Sequence, residues 1–405
     1  MARKLHNWLE SYLEYADKTE SPRRLHFWAG VSAIAGALRR KVWIDQNFFK
    51  WYPSFYIIFV AKPGIVSKTT TLDIAMDLLR EVPGINFGPD IITWQSMVTT
   101  FAGICEQFEW NGVLHPMSAL TFASGELGNL LDPQNKDLVN LMISLWDGKK
   151  RMEKTTKMSG NDVIEAPWIN MIAATTPHWI ADNMPAATVG GGFTSRCIFV
   201  FAEKKERFIP YPKFEMNGHE EAIRLDLIED LNHIASTLSG EMQLTREAAE
   251  WGIAWYERNW TTRSDNLDDE RLDGYIARKQ THLHKLAMVL SVSRGDDLLI
   301  TQSDLILAET MLNETEEDLS RVFSRIGRSS ESLQFESFLS IIKKHKTIPY
   351  EEAYRIIHTS YQDFHDFEGA ISGAIKAGYI QLITQGSGKM ALKWVLEGKD
   401  KSYGL

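Results

Sequence analysis

Cysteine is scarce in this sequence, and the sequence has no long apolar segment. Among the 405 residues only Cys105 and Cys197 are cysteines. They lie far apart, and neither has a nearby cysteine or histidine pair, which argues against a zinc site and indicates a reducing, cytoplasmic environment. The apolar run from Leu25 to Leu38 is too short to cross a bilayer, and the first residues lack the apolar core of a signal peptide. We therefore expect no association with a membrane.

An excess of positive charge is also absent. The formal net charge is −9, which excludes a uniformly basic surface. Any contact with nucleic acid must then be confined to local basic segments. The residues are 44% apolar and 24% charged, which is typical of an ordinary globular protein, and the length fits two or three domains.

Hydrophobic periodicity divides the chain into four regions. Residues 1–50 have helical spacing and are expected to form an N-terminal helical element. Residues 51–215 alternate between apolar strands and amphipathic helices, which predicts an α/β fold with a parallel sheet covered on both faces. Residues 216–327 read as a helical lid, and residues 328–405 as a winged-helix-like domain, with helices followed by a hairpin. The predicted strands are Phe55–Val60, Leu120–Ala123, Ile169–Ala174 and Cys197–Phe201.

A strand, a loop and a helix follow one another in the segment FYIIFVAKPGIVSKTTTLDIAMDLL. Pro63 and Gly64 stand in the loop, and Lys68 and Thr69 begin the helix. A loop in this position can surround phosphates with its backbone N–H groups while the helix N-terminus faces them. The lysine would neutralise the β- and γ-phosphates of ATP, and the threonine hydroxyl would bind Mg²⁺.

The match to the phosphate-loop pattern GxxxxGK[ST] is incomplete. Lys62 and Ser67 occupy the two glycine positions. An ordinary strand–turn–helix with a lysine is therefore the alternative, although the apolar strand and amphipathic helix favour the phosphate loop. The residues expected to contact ATP here are Pro63, Gly64, Ser67, Lys68, Thr69 and Thr70.

Three later strands each carry a polar residue suited to ATP hydrolysis. The strand in ALTFASGELGNLL ends in Glu126, a candidate base for the attacking water and, with Thr69, a candidate Mg²⁺ ligand. The strand in PWINMIAATTP ends in Thr175, whose hydroxyl can bond the γ-phosphate or the water. Arg196 precedes the strand in GGGFTSRCIFVF and can act as an arginine finger on a neighbouring subunit. The alternatives are a surface glutamate, a capped strand end and a structural arginine.

These segments, in this order, resemble a family of phage- and mobile-element-encoded AAA+ P-loop ATPases, many of which are attached to primases or assigned as replicative helicases. SPRRLHFWAGVSAIAGALRRKVWID and GYIARKQTHLHKLAMVL are also similar to that family, and the resemblance extends from about Leu5 to Leu312. It implies an AAA+ core in which Lys68 and Thr69 bind nucleotide. It further implies that Arg278 is a second sensor residue from the helical lid.

A basic segment lies between the Glu126 and Thr175 strands. In DGKKRMEKTTKMSGNDVIEAPW, the Ser-Gly-Asn-Asp cluster predicts a hairpin turn between two extended arms. In a ring, such hairpins would give a positive pore that follows the phosphates of single-stranded DNA. A solvated charged hairpin is the alternative. The candidate DNA-binding residues are Lys149, Lys150, Arg151, Lys154 and Lys157, together with Lys389 and Lys393 on the C-terminal hairpin.

The sequence thus predicts an ATP-dependent DNA helicase or translocase of phage- or plasmid-type replication. It would act as a homo-hexamer on single-stranded DNA, with a primase or another replication protein as a further partner. An ATP-gated helicase loader, initiator or regulatory ATPase is the alternative, because the phosphate loop is incomplete. A DNA-packaging motor is less favoured, because the tail lacks the clustered acids of a nuclease.

Overall fold

The computed structural model describes residues 3–156, 160–184, 191–215, 218–262, 264–323, 330–358, 361, 363–384 and 389–395. The chain divides into two compact units, Met1–Ile326 and Gly327–Leu405. The last predicted domain boundary, at residue 328, lies next to this division.

The first unit contains twelve strands and twelve α-helices in its described residues. The strands are β1 (Val42–Asp45), β2 (Lys50–Trp51), β3 (Tyr56–Val60), β4 (Cys105–Trp110), β5 (Val113–Ser124), β6 (Arg151–Thr156), β7 (Gly160–Glu165), β8 (Pro167–Thr175), β9 (Cys197–Phe201), β10 (Gly240–Glu241), β11 (Gln243–Leu244) and β12 (Leu299–Ile300). The helices are α1 (Trp8–Ala16), α2 (Arg23–Leu38), α3 (Lys68–Arg80), α4 (Trp94–Gly103), α5 (Lys136–Trp146), α6 (Pro177–Asn183), α7 (Glu220–Thr237), α8 (Arg246–Thr261), α9 (Asp273–Ile276), α10 (Lys279–Arg294), α11 (Gln302–Glu316) and α12 (Leu319–Phe323).

A five-stranded mixed sheet, in the order β4–β5–β8–β3–β9, is the centre of this unit. The four strands β5, β8, β3 and β9 run parallel. Ile57 of β3 pairs with Ile172 of β8 on one side and with Ile198 of β9 on the other. The carboxyl ends of β3 and β8 therefore meet at one edge of the sheet.

Side chains of the central strands alternate between two hydrophobic cores. In β3, Ile57 and Phe59 belong to the core formed with α1, α2, α3, α7 and α10. Tyr56, Ile58 and Val60 face the opposite core, formed with α4, α5 and α12. All five side chains are buried, because a strand covered on both faces has no polar side. This α/β arrangement confirms the predicted class.

The prediction of a wholly parallel sheet was wrong at one edge. The β4 strand pairs antiparallel with β5, from Cys105 opposite Ser118 to Trp110 opposite Val113. Asn111 and Gly112 connect these strands with φ angles of 51° and 73°, the positive pair that a type I′ hairpin turn requires. The Asn-Gly pair is a sequence signal for this hairpin. The polar residues of β4, however, do not give the apolar run that predicts a buried strand.

The helical prediction for residues 216–327 is confirmed in the described residues, with small exceptions. Three two-residue strands, β10, β11 and β12, interrupt the helices. The short helix α9, which ends at Ile276, and the longer helix α10 are separate elements. No helix in the described residues is long and apolar enough to span a membrane.

The second unit consists of three helices and a small antiparallel sheet with strand order β13–β15–β14. Phe338, Ile348, Phe367 and Leu392 are among its buried core residues. The predicted helices and terminal hairpin are present, and β13 is an addition that the sequence did not indicate. The elements are α13 (Ser330–His345), β13 (Thr347–Pro349), α14 (Tyr350–Ile357), α15 (Phe364–Lys376), β14 (Ile380–Thr384) and β15 (Met390–Trp394).

Close packing of α1 on α2 gives a test of the first core. A Cβ at Gly30 of α2 would lie 2.6 Å from Leu9 Cδ1 and 2.9 Å from Tyr12 Cδ1. Gly30→Ala should therefore lower the free energy of unfolding by about 1–3 kcal/mol. The control is Gly252→Ala on α8, where a Cβ meets no described heavy atom within 4 Å. This substitution should raise the free energy of unfolding by about 0.5–1 kcal/mol, because alanine favours the helix over glycine. Urea denaturation measures both, and equal effects would contradict the packing argument.

Candidate functional site

Buried hydrogen bonds hold the loop after β3, residues 61–67, in place. Ser21, at the start of α2, donates its hydroxyl to the Val66 carbonyl oxygen at 3.3 Å. The Thr71 hydroxyl, on the first turn of α3, donates to the Ser21 hydroxyl at 2.5 Å. The Thr71 backbone amide donates to the Ser67 carbonyl oxygen at 3.0 Å. Both hydroxyl side chains are 1% exposed. These buried bonds fix the loop against the N-terminal helices, and sequence reasoning missed them.

Two residues of the loop adopt left-handed backbone conformations. Gly64 has φ +70°, which glycine tolerates at no steric cost. Ser67, directly before α3, has φ 34° and ψ 43°. Ser67 occupies the second glycine position of the phosphate-loop pattern and takes the conformation that glycine would take there. The serine keeps this geometry at a cost of about 1–2 kcal/mol.

A cavity of about 390 Å³ opens at the carboxyl edge of the sheet, above the N-terminus of α3. We call it the Lys68 pocket. It brings together eight residues predicted for ATP binding or hydrolysis, from three separate strand ends. Its lining residues are Pro63, Gly64, Ser67, Lys68, Thr69, Thr70, Gly125, Glu126, Thr175 and Thr176.

The ammonium group of Lys68 lies across the loop. It donates to the Ala61 carbonyl oxygen at 2.8 Å and contacts the Lys62 carbonyl oxygen at 3.4 Å. Partial burial lowers the pKa of Lys68, and the nearby Glu126 carboxylate opposes this shift. Lysine and glutamate thus face the same pocket with opposite charges.

The Glu126 backbone is fixed by a local turn at the end of β5. The Ser124 hydroxyl donates to the Glu126 carbonyl oxygen at 2.8 Å and lies 3.3 Å from the Glu126 amide nitrogen. Between them, Gly125 stands against α3, where a Cβ would be 2.8 Å from Thr69 Cγ2 and 3.0 Å from Thr69 Oγ1. A side chain at position 125 would therefore press on the Thr69 hydroxyl. Glycine leaves that hydroxyl accessible, a feature that the sequence did not reveal.

Thr175 ends β8 directly beside the loop. Its side chain is 1% exposed, and its hydroxyl has no hydrogen-bond partner among the described residues. A buried hydroxyl without a partner costs about 1–3 kcal/mol unless a ligand or water bonds it. The next residue, Thr176, caps α6 by accepting a hydrogen bond from the Trp179 amide at 3.1 Å. The free hydroxyl at the pocket wall is thus the one predicted to contact phosphate or water.

Arg196 lies at the amino ends of the parallel strands, opposite the ends that carry the Lys68 pocket. It precedes Cys197, which pairs with Tyr56 at the amino end of β3. Its guanidinium bonds both carboxylate oxygens of Asp147, at 2.9 and 2.8 Å, and its side chain is 7% exposed. Within its own chain Arg196 is therefore a buried, ion-paired residue away from the Lys68 pocket. Its action on a neighbouring subunit stays a prediction.

Arg278 lies with Arg196 and does not line the Lys68 pocket. It is the residue before α10 and donates to the Gly274 carbonyl oxygen at 3.3 Å. Burial lowers its pKa, the Arg196 charge lowers it further, and the Asp147 carboxylate opposes both. The predicted role of Arg278 as a nucleotide sensor likewise stays a prediction.

The predicted basic hairpin is present as β6 and β7. Its strands pair antiparallel, from Arg151 opposite Glu165 to Thr156 opposite Gly160. Residues 157–159 lie outside the described residues, and the prediction that Gly160, Asn161 and Asp162 form the turn was wrong, because all three belong to β7. Arg40 holds the root of the hairpin by donating to the carbonyl oxygens of Gly148 at 2.9 Å and Pro167 at 2.7 Å.

The basic side chains of this hairpin differ in accessibility. Lys149 and Lys150 are exposed. Arg151 is exposed but ion-paired with Glu153 at 2.7 Å and with Glu165 at 3.3 Å. The Lys154 ammonium is buried over the ring of Trp94 on α4. Lys157 lies outside the described residues.

The second unit carries the last two predicted DNA-binding residues. Lys389 and Lys393 are both exposed, and Lys393 lies on β15 opposite Thr347. The exposed face of α15 carries acidic as well as basic side chains, including Asp366, Glu368 and Lys376.

Comparison with known proteins adds no relative to this description. A scan of protein-family models finds no match to the chain, and a search of curated proteins finds none either.

The strained serine of the loop gives a direct test of its conformation. Ser67→Gly should raise the free energy of unfolding by about 1 kcal/mol, because glycine adopts this φ and ψ without steric cost. The matched variant is Gly64→Ala, where a Cβ meets no described heavy atom within 4 Å. Its free energy of unfolding should fall by about 1 kcal/mol, because alanine disfavours the left-handed backbone conformation. Thermal unfolding measures both, and destabilisation by Ser67→Gly would contradict the left-handed assignment.

Proposed function

We propose that this chain is an ATPase with a phosphate loop of the AAA+ kind, and that it acts as a helicase or translocase on single-stranded DNA. The observation that carries the proposal is the Lys68 pocket. Residues from separate sequence segments, each predicted to serve ATP chemistry, line a single cavity at the carboxyl edge of the parallel strands. This edge is where ligands of open α/β sheets bind.

The order of the strands supports these roles. The loop strand β3 is separated from the Glu126 strand β5 by β8, which carries Thr175 at its tip. A triphosphate that enters over the α3 N-terminus would thus have Lys68 at its base and the Thr175 hydroxyl at its side. Glu126, at the end of β5, would stand on the far side of β8 from the loop.

Each residue would perform a distinct step. Lys68 would exchange its bond to the Ala61 carbonyl oxygen for bonds to phosphate oxygens. Glu126 would orient the attacking water and accept its proton, and the Thr175 hydroxyl would hold that water or the γ-phosphate. The Thr69 hydroxyl and the Glu126 carboxylate are the oxygen donors that would hold Mg²⁺, together with water and phosphate. When bound, Mg²⁺ neutralises charge on the phosphates.

DNA contact would come from the β6–β7 hairpin in a hexameric ring. Its root is anchored by buried Arg40, which donates to carbonyl oxygens on both sides of the hairpin. Lys149 and Lys150, at this root, are the exposed cations available to the DNA backbone. Six copies would line a pore with positive charge in an otherwise acidic protein.

A helicase loader, initiator or regulatory ATPase remains the second candidate. Its support is the hairpin itself, since Arg151 is ion-paired and Lys154 is buried on Trp94. A hairpin with fewer available cations grips DNA less firmly. In that case the winged-helix-like second unit, with Lys389 and Lys393, would be the DNA- or protein-binding element, and a replicative helicase or primase its partner.

The nucleotide site is tested by paired substitutions. Lys68→Ala should weaken ATP binding by about 10- to 150-fold, the usual loss when a hydrogen bond to a charged group is removed. Glu126→Gln should bind ATP normally but lose about 10²- to 10⁴-fold in turnover, because the amide cannot accept the proton. Calorimetry and phosphate release measure the two quantities.

Lys62→Ala is the matched control, since Lys62 is exposed in the same loop and does not line the pocket. It should behave as wild type. An unchanged ATP affinity in Lys68→Ala, or an equal loss in Lys62→Ala, would remove the nucleotide assignment.

The DNA site is tested by salt dependence. The double variant Lys149→Gln, Lys150→Gln should bind single-stranded DNA more weakly and reduce the slope of log K against log salt by about 1.4, since each phosphate contact contributes about 0.7. ATP hydrolysis without DNA should persist, because neither residue lines the Lys68 pocket. The comparison variant is Lys389→Gln, Lys393→Gln on the second unit. If only that variant loses DNA binding, the hairpin is not the DNA element and the loader becomes the better proposal.

A further inference from the structure

The turn between β1 and β2, residues 46–49, holds an aromatic ring in solvent. Phe48 is 97% exposed, and Phe49 beside it is 54% exposed. Single exposed apolar side chains are normal in globular proteins, so the backbone that displays this ring is the informative feature.

The backbone of this turn is held in a tight conformation. Asn47 has a φ of 61°, and the Phe48 amide donates to the Gln46 carbonyl oxygen at 2.7 Å. A hydrogen bond between residues two apart, around a positive φ, is that of a strained γ-turn. The Gln46 amide in turn donates to the Phe49 carbonyl oxygen at 2.9 Å. Several bonds thus fix the place where Phe48 leaves the turn.

The strands below the turn are anchored to the first core. Trp51 of β2 is 9% exposed, and its ring centroid lies 4.6 Å from that of His284 on α10. The ring of Phe49 lies 5.6 Å from the same tryptophan. Lys50 and Asp45, which are paired residues of β2 and β1, form an ion pair at 2.9 Å. Phe48 is therefore displayed on a supported hairpin.

Tyr52, the residue after β2, connects this turn to the root of the β6–β7 hairpin. The Arg40 guanidinium lies 4.0 Å from the Tyr52 ring centroid and donates to the Gly148 carbonyl oxygen at 2.9 Å. A Cβ at Gly148 would lie 3.2 Å from Tyr52 Cδ2. Phe48 is four residues from Tyr52, which an extended chain spans in at most about 14 Å. The two exposed lysines of the hairpin root directly follow Gly148.

The acids nearest to the turn and to the hairpin root along the chain are ion-paired. The pairs are Asp45 with Lys50, Asp147 with Arg196, and Glu153 with Arg151. Glu241, the other acid of the three-stranded sheet β10–β1–β2, lies on β10, the edge strand away from β2. The exposed root lysines therefore favour an anionic partner. Exposed aromatic rings close to exposed cations are the combination that binds single-stranded nucleic acid, with rings against bases and cations against phosphates.

We propose that Phe48 stacks on a base of the single-stranded DNA whose phosphates contact Lys149 and Lys150. The inference rests on the proposed DNA function and adds a base contact to it. Because every base has a flat aromatic face, this contact would strengthen binding without selecting a sequence.

Substitution of the ring in the full chain tests the stacking. Phe48→Ala should weaken binding of a mixed-sequence single-stranded DNA by about 5- to 150-fold, the usual effect of losing one stacked base. The slope of log K against log salt should stay unchanged, because the ring neutralises no phosphate. The control is Phe208→Ala, which removes a ring that is 86% exposed in the segment after β9, and it should bind as wild type. Fluorescence anisotropy at several salt concentrations measures both quantities.

A strand of the same length with abasic sugars separates base contacts from phosphate contacts. Wild type and Phe48→Ala should bind this strand equally, since it offers phosphates but no base to stack. Phe48→Trp should keep the affinity of wild type for the normal strand, whereas Phe48→Leu, which is apolar but has no aromatic face, should lose it. An equal loss by Phe48→Ala on both strands, or full affinity in Phe48→Leu, would show that the ring does not stack on a base.

The same measurements tell failure of this contact from failure of the DNA function. If wild type binds single-stranded DNA with a slope that depends on Lys149 and Lys150, but Phe48→Ala binds equally well, only the stacking proposal is wrong. If wild type binds no single-stranded DNA, both proposals are wrong. If Phe48→Ala changes the assembly state and leaves DNA binding intact, the ring is a protein contact and the stacking proposal is again overturned.

Discussion

The pairing of β3 with β8 and β9 is the constraint on which the rest of the first unit depends. Both edges of β3 are hydrogen-bonded and both of its faces are buried. A strand fixed in this way determines where the 61–67 loop leaves the sheet and where α3 begins. It also aligns the tip of β8, and hence Thr175, beside the loop. The candidate nucleotide site is thus a consequence of parallel pairing in a two-sided core.

A group of charged side chains, in which Arg196 and Lys285 are buried and Asp147 is exposed, lies at the amino ends of the parallel strands. Arg196 is paired with Asp147, while Lys285 lies over the Trp146 ring and donates to the Ser54 hydroxyl at 3.0 Å. Burial lowers the pKa of Lys285 far below its usual value, because the charged form loses hydration. Asp147 is the residue at which α5 ends and the hairpin root begins. The group therefore joins the hairpin root to Arg196, the residue that precedes β9.

The departures from the phosphate-loop pattern have local structural reasons. Ser67 takes the left-handed conformation of the glycine it replaces, so the loop path is kept at a cost in strain. Gly125, directly before Glu126, lies beside Thr69, where a Cβ would come within 3.0 Å of the Thr69 hydroxyl oxygen.

The sequence by itself determined the class of fold, the four parallel strands and the segments that meet at the Lys68 pocket. These follow from apolar runs and from the strand–loop–helix order, which are local properties of the chain. Tertiary structure alone decided that β4 is an antiparallel edge, because a half-exposed polar strand carries little hydrophobic signal. It also decided that Arg196 pairs with Asp147 and that Lys154 lies on Trp94. These contacts join residues that are 49 and 60 positions apart, and only the folded packing of α4, α5 and the sheet brings them together.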